Sequence, residues 1–227
     1  SPDCEFLHID NTGPEQTCAY RGLNRLLDAA RGAVVILCHQ DVRLLGHGRA
    51  DLDARLAELE ALDSDWALAG NAGGVVPGRL AIRITDPHGT DRSIGTLPAR
   101  VASLDENFIV VKRSARLGFS RDLTGFHFYG ADICLVADLL GCTAYVIDFH
   151  LRHLSAGAKG DAFRASEAAF RKKWAHALRP RWIQTTCSLL KLSGAPIGRL
   201  LGRLAEAPMS RISRRLPGAA GFVRRHA

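Results

Sequence analysis

Hydrophobic and polar positions in the first 150 residues alternate between the repeat of a strand and the repeat of a helix. Continuous apolar runs of strand length occur at residues 33–38 and 143–149. Between them, residues 50–62 carry a leucine every three or four positions, as one face of an amphipathic helix does. Strand and helix patterns that alternate in this way are typical of an α/β protein.

The other elements follow from the same two repeats. Further strands are predicted at residues 5–9, 66–68, 80–84 and 107–112, and further helices at residues 19–30, 130–140 and 162–178. The uninterrupted apolar run that ends at Cys38 predicts a central strand covered on both faces. We therefore expect a mixed, mostly parallel sheet flanked by helices.

Basic residues are concentrated in the C-terminal part of the chain. Residues 164–227 carry 14 Lys and Arg against Glu167 and Glu206, within a formal net charge of +7 for the whole chain. Prolines divide this part into short, leucine-containing pieces. We predict one domain over residues 1–178 and a basic, helical extension over residues 179–227. An anionic membrane surface is the expected partner of the extension, with a solvated helical face as the alternative. Nucleic acid is disfavoured, because aromatic residues barely interleave with the arginines.

Composition and cysteine usage limit the class of protein. With 47% hydrophobic and 23% charged residues, the chain is not mainly disordered. No apolar stretch approaches the ~20 residues of a membrane span. The six cysteines include no CxxC pair, which argues against a zinc site and favours reduced thiols in a cytosolic protein. We expect a cytoplasmic protein, attached peripherally to the inner face of the membrane if the extension binds there.

Polar side chains follow three of the predicted strands directly. Asp10 follows the first, His39, Gln40 and Asp41 follow the second, and His153 follows the last. Ligands of open α/β sheets bind beyond the carboxyl ends of the strands, so these side chains are candidates for one site, although each could also be a turn former. Imidazole and carboxylate groups are ligands for divalent cations such as Mn²⁺, and carboxylates also bind Mg²⁺.

Several motifs occur in an order that matches a known family. They are FLHIDN at 6–11, Asn24 followed by AARG at 29–32, VVILCHQD at 34–41, LGF at 117–119, YGADICL at 129–135 and HLS at 153–155. The series resembles the family 2 glycosyltransferases of the GT-A fold, nearest to a bacterial branch with HQD in place of the DxD motif. The resemblance extends from residue 5 to about residue 174.

The resemblance implies an inverting transfer of a sugar from a nucleotide-diphosphate donor to a saccharide or lipid-linked acceptor, in the synthesis of cell-surface polysaccharide or glycoconjugate. It implies Asp132 as the catalytic base, and Mn²⁺ or Mg²⁺ as the cofactor. The residues implied to bind the nucleotide sugar are Asp10, Asn11, Asn24, His39 and Gln40, and those implied to bind the metal are His39, Asp41 and His153.

The residues leave alternatives to several of these roles. Asp132 could instead be a carboxylate favoured by the dipole at the start of a helix, and His150 competes with His153 for the metal. Aromatic residues precede the proposed base, and sugars stack on aromatic rings, so His127 and Tyr129 are candidates for the acceptor site together with Asp105.

Two features depart from the family. The strand–helix unit that comes before residue 5 in family members has no counterpart in the sequence, and the HQD motif makes dependence on a metal less certain. Either the upstream residues are missing from this chain, or the protein is a catalytically degenerate nucleotide-sugar-binding protein; a membrane-surface-associated protein is a further alternative. A nucleotidyltransferase is a third, although no glycine-rich phosphate loop with a lysine is present.

Overall fold

The computed structural model describes residues 4–157 and 159–215. The helices are α1 (Ala19–Ala29), α2 (Arg49–Leu62), α3 (Tyr129–Leu139), α4 (Asp161–Ala177) and α5 (Pro196–Arg215). The strands are β1 (Val34–Cys38), β2 (Val42–Leu44), β3 (Trp66–Gly70), β4 (Ala72–Val76), β5 (Arg79–Asp86), β6 (Gly89–Ile94), β7 (Ala99–Arg100), β8 (Ser103–Leu104), β9 (Phe108–Lys112), β10 (Thr143–Val146), β11 (Leu151–His153), β12 (Arg181–Gln184) and β13 (Leu189–Leu192). The prediction of a mixed α/β protein is confirmed.

The main sheet has five strands in the order β1-β9-β3-β10-β7. β3 and β10 pair in parallel, whereas the other three neighbouring pairs are antiparallel. The prediction of a mostly parallel sheet is therefore wrong. The chain leaves the sheet at the end of β3 and re-enters beside it, where Ile109 pairs with Gly70, so β9 runs antiparallel to both β1 and β3. Hydrophobic patterns identify strands, but they carry no information on strand direction.

A second sheet has the order β2-β11-β5-β4-β8, with β6 paired to β5. Its short strand β11 lies parallel to β5 and antiparallel to β2, so that His153 pairs with Val42. This register matters for the candidate site, because the residue before Val42 is Asp41.

Helices cover both faces of the main sheet. Along β9, Ile109 and Val111 face a core shared with α1 and α3, whereas Phe108 and Val110 face a second core shared with α2. Successive side chains of β9 therefore point into opposite cores, and the strand is buried on both faces. Burying each large apolar side chain contributes about 1.5–3 kcal/mol to stability.

Two of the predicted strands differ from the structure. β1 lies at the edge of the main sheet and exposes Val34 and Ile36, so it is β9 that is covered on both faces. Residues 5–9 form no strand. The carboxylate of Glu5 instead accepts hydrogen bonds from the backbone and side chain of Arg31, which tie the segment to the end of α1 and leave Phe6 86% exposed.

The chain divides into two compact units, the first ending at Phe170 and the second beginning at Arg171. In the second unit β12 and β13 form an antiparallel hairpin that precedes α5. The predicted helical extension is therefore wrong for residues 181–192. The hydroxyl of Thr185 accepts hydrogen bonds from the backbone of Cys187 and Ser188, and these bonds close the hairpin turn. The last part of the predicted extension, residues 216–227, lies outside the described residues.

Within residues 4–157 and 159–215, every helix is too short or too polar to cross a membrane. The six cysteines are free thiols.

Candidate functional site

Three side chains meet where β1 ends and β2 pairs with β11. His39 follows β1 directly, Asp41 precedes β2, and His153 is the last residue of β11. The antiparallel register of β2 and β11 brings His153 beside Asp41, and the backbone N–H of Leu154 donates to the Asp41 carbonyl at 3.1 Å. We refer to His39, Asp41 and His153 as the three-residue cluster.

The ligand atoms of the cluster form a compact triangle. His153 Nε2 lies 3.3 Å from His39 Nδ1 and 3.3 Å from Asp41 Oδ1, and His39 Nδ1 lies 3.9 Å from Asp41 Oδ1. Ligand atoms about 2.1 Å from one metal ion are about 3.0–3.4 Å apart in octahedral or tetrahedral geometry. The triangle is therefore close to the size that one divalent cation requires. Among the described residues, it is the only group of three or more His, Cys, Asp or Glu side chains that could hold a metal ion.

A hydrogen-bond chain fixes the orientation of the His39 ring. The Tyr129 hydroxyl donates to the Glu106 carbonyl at 3.1 Å and lies 2.7 Å from His39 Nε2. Because the single hydroxyl proton is directed to Glu106, the proton of the short bond belongs to His39 Nε2. We assign this tautomer from the geometry, and it leaves the lone pair of Nδ1 directed at Asp41 and His153.

The local environment favours the protonation states that bind cations. Burial, together with the neighbouring His153, lowers the pKa of His39 against the opposing effects of Asp41 and Asp105, so the imidazole is neutral at pH 7. Burial raises the pKa of Asp41, but the hydrogen bond from Ser155 and the nearby His153 outweigh it and hold that pKa below its usual range. The cluster thus presents a neutral His39 imidazole beside the Asp41 carboxylate anion.

The donor set fits a divalent cation. Two imidazole nitrogens and one carboxylate oxygen suit Mn²⁺, Fe²⁺ or Zn²⁺ better than Mg²⁺, which prefers oxygen ligands. Ser155 Oγ lies 3.2 Å from His153 Nε2, within reach of the same position. His150, the alternative ligand, is outside the cluster, because its Nε2 is 2.9 Å from the Thr85 hydroxyl.

The structure encloses Asp132, the predicted catalytic base. Its side chain is 0% exposed, and its two carboxylate oxygens accept hydrogen bonds from the backbone N–H and hydroxyl of Ser120 at 2.8 and 2.7 Å. These contacts favour the alternative reading, a structural carboxylate in the first turn of α3, and the role of Asp132 as the catalytic base stays a prediction.

The predicted acceptor residues have different environments. Tyr129 is buried and its hydroxyl is engaged by His39 and Glu106, and its contact with an acceptor stays a prediction. The ring of His127 packs against Phe163 with the centroids 5.3 Å apart, and its contact with an acceptor stays a prediction. Asp105 is exposed, and its charge acts on His39 by raising the imidazole pKa.

Asp105 lines a cleft of about 240 Å³. Strand β4 contributes Gly73 and Gly74, and β8 contributes Ser103. A Cβ at Gly73 would collide with the Ser103 carbonyl, and one at Gly74 would lie 2.9 Å from the Ser103 hydroxyl. The absence of side chains at both positions therefore allows β4 and β8 to approach each other and leaves the space of the cleft unfilled.

The sequence placed Glu106 in a turn pair with Asp105, but it did not predict the contact that Glu106 makes. Its carboxylate accepts hydrogen bonds from the backbone N–H groups of Phe128, Tyr129 and Gly130, at the start of α3. Burial and the neighbouring Asp105 outweigh these bonds and raise the pKa of Glu106 to about 7. An acidic residue after a turn is too common a pattern to have indicated this contact, which joins positions more than 20 residues apart.

The remaining predicted nucleotide-binding residues lie outside the cluster. Asp10 accepts hydrogen bonds from the backbone and hydroxyl of Thr12, and Asn11 pairs with the backbone of Thr17. Asn24 pairs with the backbone N–H and carbonyl of Phe119. Gln40 is exposed in the turn beside the cluster. The first three have partners within the fold, and the binding of a nucleotide by all four residues stays a prediction.

The fold and these side chains define an α/β protein with a candidate cation-binding cluster and a cleft lined by Asp105. No family model matches the chain. It is 36% identical over 203 residues to the protein named "ATP synthase subunits region ORF 6" of Fuscovulum blasticum, in an alignment that covers 86% of this chain and 81% of that protein. The chain belongs to the same family as that protein.

Proposed function

We propose that the protein is an inverting glycosyltransferase that moves a sugar from a nucleotide-diphosphate donor to a saccharide or lipid-linked acceptor. The observation that carries the proposal is the three-residue cluster at the end of β1, together with Asp105, whose charge acts on His39. The order of sequence motifs supports the same activity, because the HQD motif supplies two of the three clustered side chains.

The cluster is assigned to the diphosphate of the donor. His39, Asp41 and His153 would hold a divalent cation, which supplies charge stabilisation to the departing diphosphate. His39 presents Nδ1 because Tyr129 holds its other nitrogen, and Ser155 supports both Asp41 and His153. The chain's own contribution is therefore a rigid set of ligands on two strand ends.

Asp105 is assigned as the catalytic base in place of Asp132. As the acceptor oxygen bonds to the anomeric carbon, the bond from that carbon to the diphosphate oxygen breaks, and the hydroxyl proton passes to the Asp105 carboxylate. A positioned carboxylate contributes typically ~10²–10⁴-fold to such a step. Attack from the face opposite the leaving group inverts the anomeric carbon.

The first experiment tests donor binding. We expect Mn²⁺ together with one of the uridine, guanosine or thymidine diphosphate sugars to raise the melting temperature of the full chain, because a ligand bound to the native state stabilises it. Asp41→Asn should abolish the shift, whereas Asp138→Asn, which changes an exposed carboxylate on α3, should leave it unchanged. No shift with any donor would contradict the proposal.

The second experiment tests transfer. With the donor identified, Asp105→Asn should lower kcat by about 10²-fold or more while the donor-induced melting shift is retained. Donor binding without any turnover in the unchanged protein would contradict the transferase and support the degenerate, binding-only alternative. Release of inorganic diphosphate with nucleotide incorporation would support a nucleotidyltransferase.

A further inference from the structure

Helix α5 exposes a continuous apolar face. Ile197, Leu200, Leu201 and Leu204 are 73%, 61%, 59% and 69% exposed. Their spacing of three, four and seven residues places all four side chains on one side of the helix. Monomeric proteins rarely leave such a patch open, and a contiguous one marks an interaction surface. We refer to these four residues as the apolar face of α5.

The opposite side of α5 packs on the hairpin of its own unit through small residues. A Cβ at Gly202 would lie 2.5 Å from the Cβ of Lys191, and one at Gly198 would lie 3.0 Å from the Cβ of Ser193. One turn further on, the Glu206 carboxylate accepts the backbone N–H of Lys191 at 3.2 Å. The glycines therefore let the helix pack closely on the hairpin with its large apolar side chains facing solvent. In most amphipathic helices the large apolar side chains face the core instead.

The unit that carries this face is strongly cationic. Residues 171–227 contain 13 Lys and Arg and one carboxylate, Glu206. Within the described part of the unit, Arg199, Arg203 and Arg211 form no ion pair. Arg203 precedes Leu204, and Arg211 follows it by seven residues, on the same side of the helix. Positive charge thus lies beside the C-terminal part of the apolar face.

We propose that the apolar face of α5 binds the surface of a membrane that contains anionic phospholipids. The leucines would enter the boundary between headgroups and acyl chains, while the arginines would contact phosphate groups at the surface. Charge complementarity selects this occupant. A nucleic acid satisfies the arginines but offers no apolar surface to the four large side chains, and a second copy would place two cationic units together. The proposal is independent of the glycosyltransferase assignment.

Vesicle sedimentation of the full chain tests the proposal. We expect binding to vesicles of phosphatidylcholine mixed with phosphatidylglycerol, at least about tenfold weaker binding to phosphatidylcholine alone, and a loss of binding at high salt. Equal recovery with both vesicle types would overturn it.

Leucine substitutions separate membrane binding from simple charge attraction. Leu200→Ser with Leu204→Ser should lower partitioning onto anionic vesicles by roughly 100-fold, because two buried apolar side chains are lost. Leu139→Ser with Leu140→Ser is the matched control, since these leucines at the end of α3 are 59% and 60% exposed. Circular dichroism checks that both variants fold. Equal effects of the two pairs, or no effect of the first, would overturn the proposal.

Arginine substitutions test the charge contribution. Arg199→Gln with Arg203→Gln should weaken binding by roughly 20-fold, at about 1 kcal/mol for each charge near the surface. Arg21→Gln with Arg25→Gln removes two exposed arginines at the same spacing on α1 and should leave binding nearly unchanged. An equal effect of the α1 pair would indicate non-specific attraction and overturn the assignment to α5.

Two other occupants are distinguished in parallel. Tighter binding to duplex DNA or single-stranded RNA than to anionic vesicles at equal phosphate concentration would replace the membrane with nucleic acid. Size-exclusion chromatography that shows a dimer dissociated by the Leu200 and Leu204 substitutions, with vesicle binding unchanged, would replace it with a second copy.

Discussion

At the scale of single residues, the Tyr129 hydroxyl decides which nitrogen of His39 faces the candidate cation site. An imidazole that rotates or exchanges its tautomer loses the directed lone pair on which ligation depends. Tyr129 is held in turn by the Glu106 carbonyl, and its ring packs against Tyr20 and Phe119 with centroids 6.3 and 5.8 Å apart. The aromatic cluster at the start of α3 therefore supports the site through the single contact of Tyr129 with His39.

Tyr129→Phe should weaken Mn²⁺ binding by about 10–100-fold, because the partner that orients His39 is lost. Isothermal titration calorimetry on the full chain measures the affinity. Tyr145→Phe is the matched control, since it removes a hydroxyl that bonds the Asp63 carboxylate at 2.9 Å, remote from the cluster's ligands. Each change should cost about 1 kcal/mol of stability. The interpretation fails if both variants bind Mn²⁺ equally well.

The enclosed Asp132 leads to a second prediction at this scale. Asp132→Asn should lower the free energy of unfolding by about 1–3 kcal/mol, because the charge-assisted bonds to Ser120 are weakened or lost. The folded protein should retain donor binding and most of its transfer rate. Urea denaturation and kcat measure the two effects. A stable variant without transfer activity would restore Asp132 as the base and contradict its structural role.

At the scale of elements, the start of α3 concentrates the unusual features of the fold. Phe128 precedes the helix with a φ of 67°, and Gly130 lies so close to the Leu104 carbonyl that no Cβ fits. Glu106 covers the free N–H groups of the first turn, which a negative charge stabilises. Burial opposes that charge, so the carboxyl is poised between its two states near neutral pH.

The raised pKa of Glu106 predicts a pH-dependent stability. Because the folded state favours the protonated form, its contribution is complete below the ordinary pKa of 4.5 and is lost as the pH rises through about 7. For the 2.5-unit difference this amounts to about 3 kcal/mol at most. Glu106→Gln should remove this decline, so that the variant gains stability relative to the unchanged protein between about pH 5 and 8.

Urea denaturation at several pH values measures the effect of Glu106→Gln. Glu58→Gln, on an exposed turn of α2, controls for the loss of a surface carboxylate. Parallel curves for the unchanged protein and the Glu106 variant would show that burial of this carboxyl does not govern the pH dependence.

How much the sequence could predict also depends on the element. The helices α1 to α4 and strands such as β9 were predictable because their apolar residues repeat with a period set by local geometry. The edge position of β1 and the direction of β9 were not, since both depend on which strands pair. Asp41 and His153 could be anticipated as neighbours from their places at strand ends, whereas the roles of Tyr129 and Glu106 arise from contacts between distant segments.

At the scale of the whole molecule, charge separates along the chain. Residues 1–170 contain 17 Lys and Arg against 22 Asp and Glu, whereas residues 171–227 contain 13 against one. The first unit contains the candidate site, and the second contains the apolar face of α5. The two candidate activities, chemistry and surface attachment, are therefore assigned to parts of the chain with opposite net charge.

Edge strand β1 predicts the behaviour of many copies in solution. Within the described residues it pairs with β9 on one side, so its other side offers free backbone groups beside Val34 and Ile36. Ile36→Lys should reduce light scattering on concentration while leaving the melting temperature nearly unchanged, because a lysine on an exposed edge discourages strand pairing between chains. Unaltered scattering would assign the association to another surface.

The same edge bears on how the protein is handled. An edge strand with free amide and carbonyl groups can pair with the same strand of another copy and begin a fibril. The rate of this first pairing rises with the square of the monomer concentration. Purification at low concentration, or addition of a peptide that pairs with β1 and covers its free edge, would keep preparations monodisperse. Crystals grown from the Ile36→Lys protein should form in lattices that do not run strand against strand.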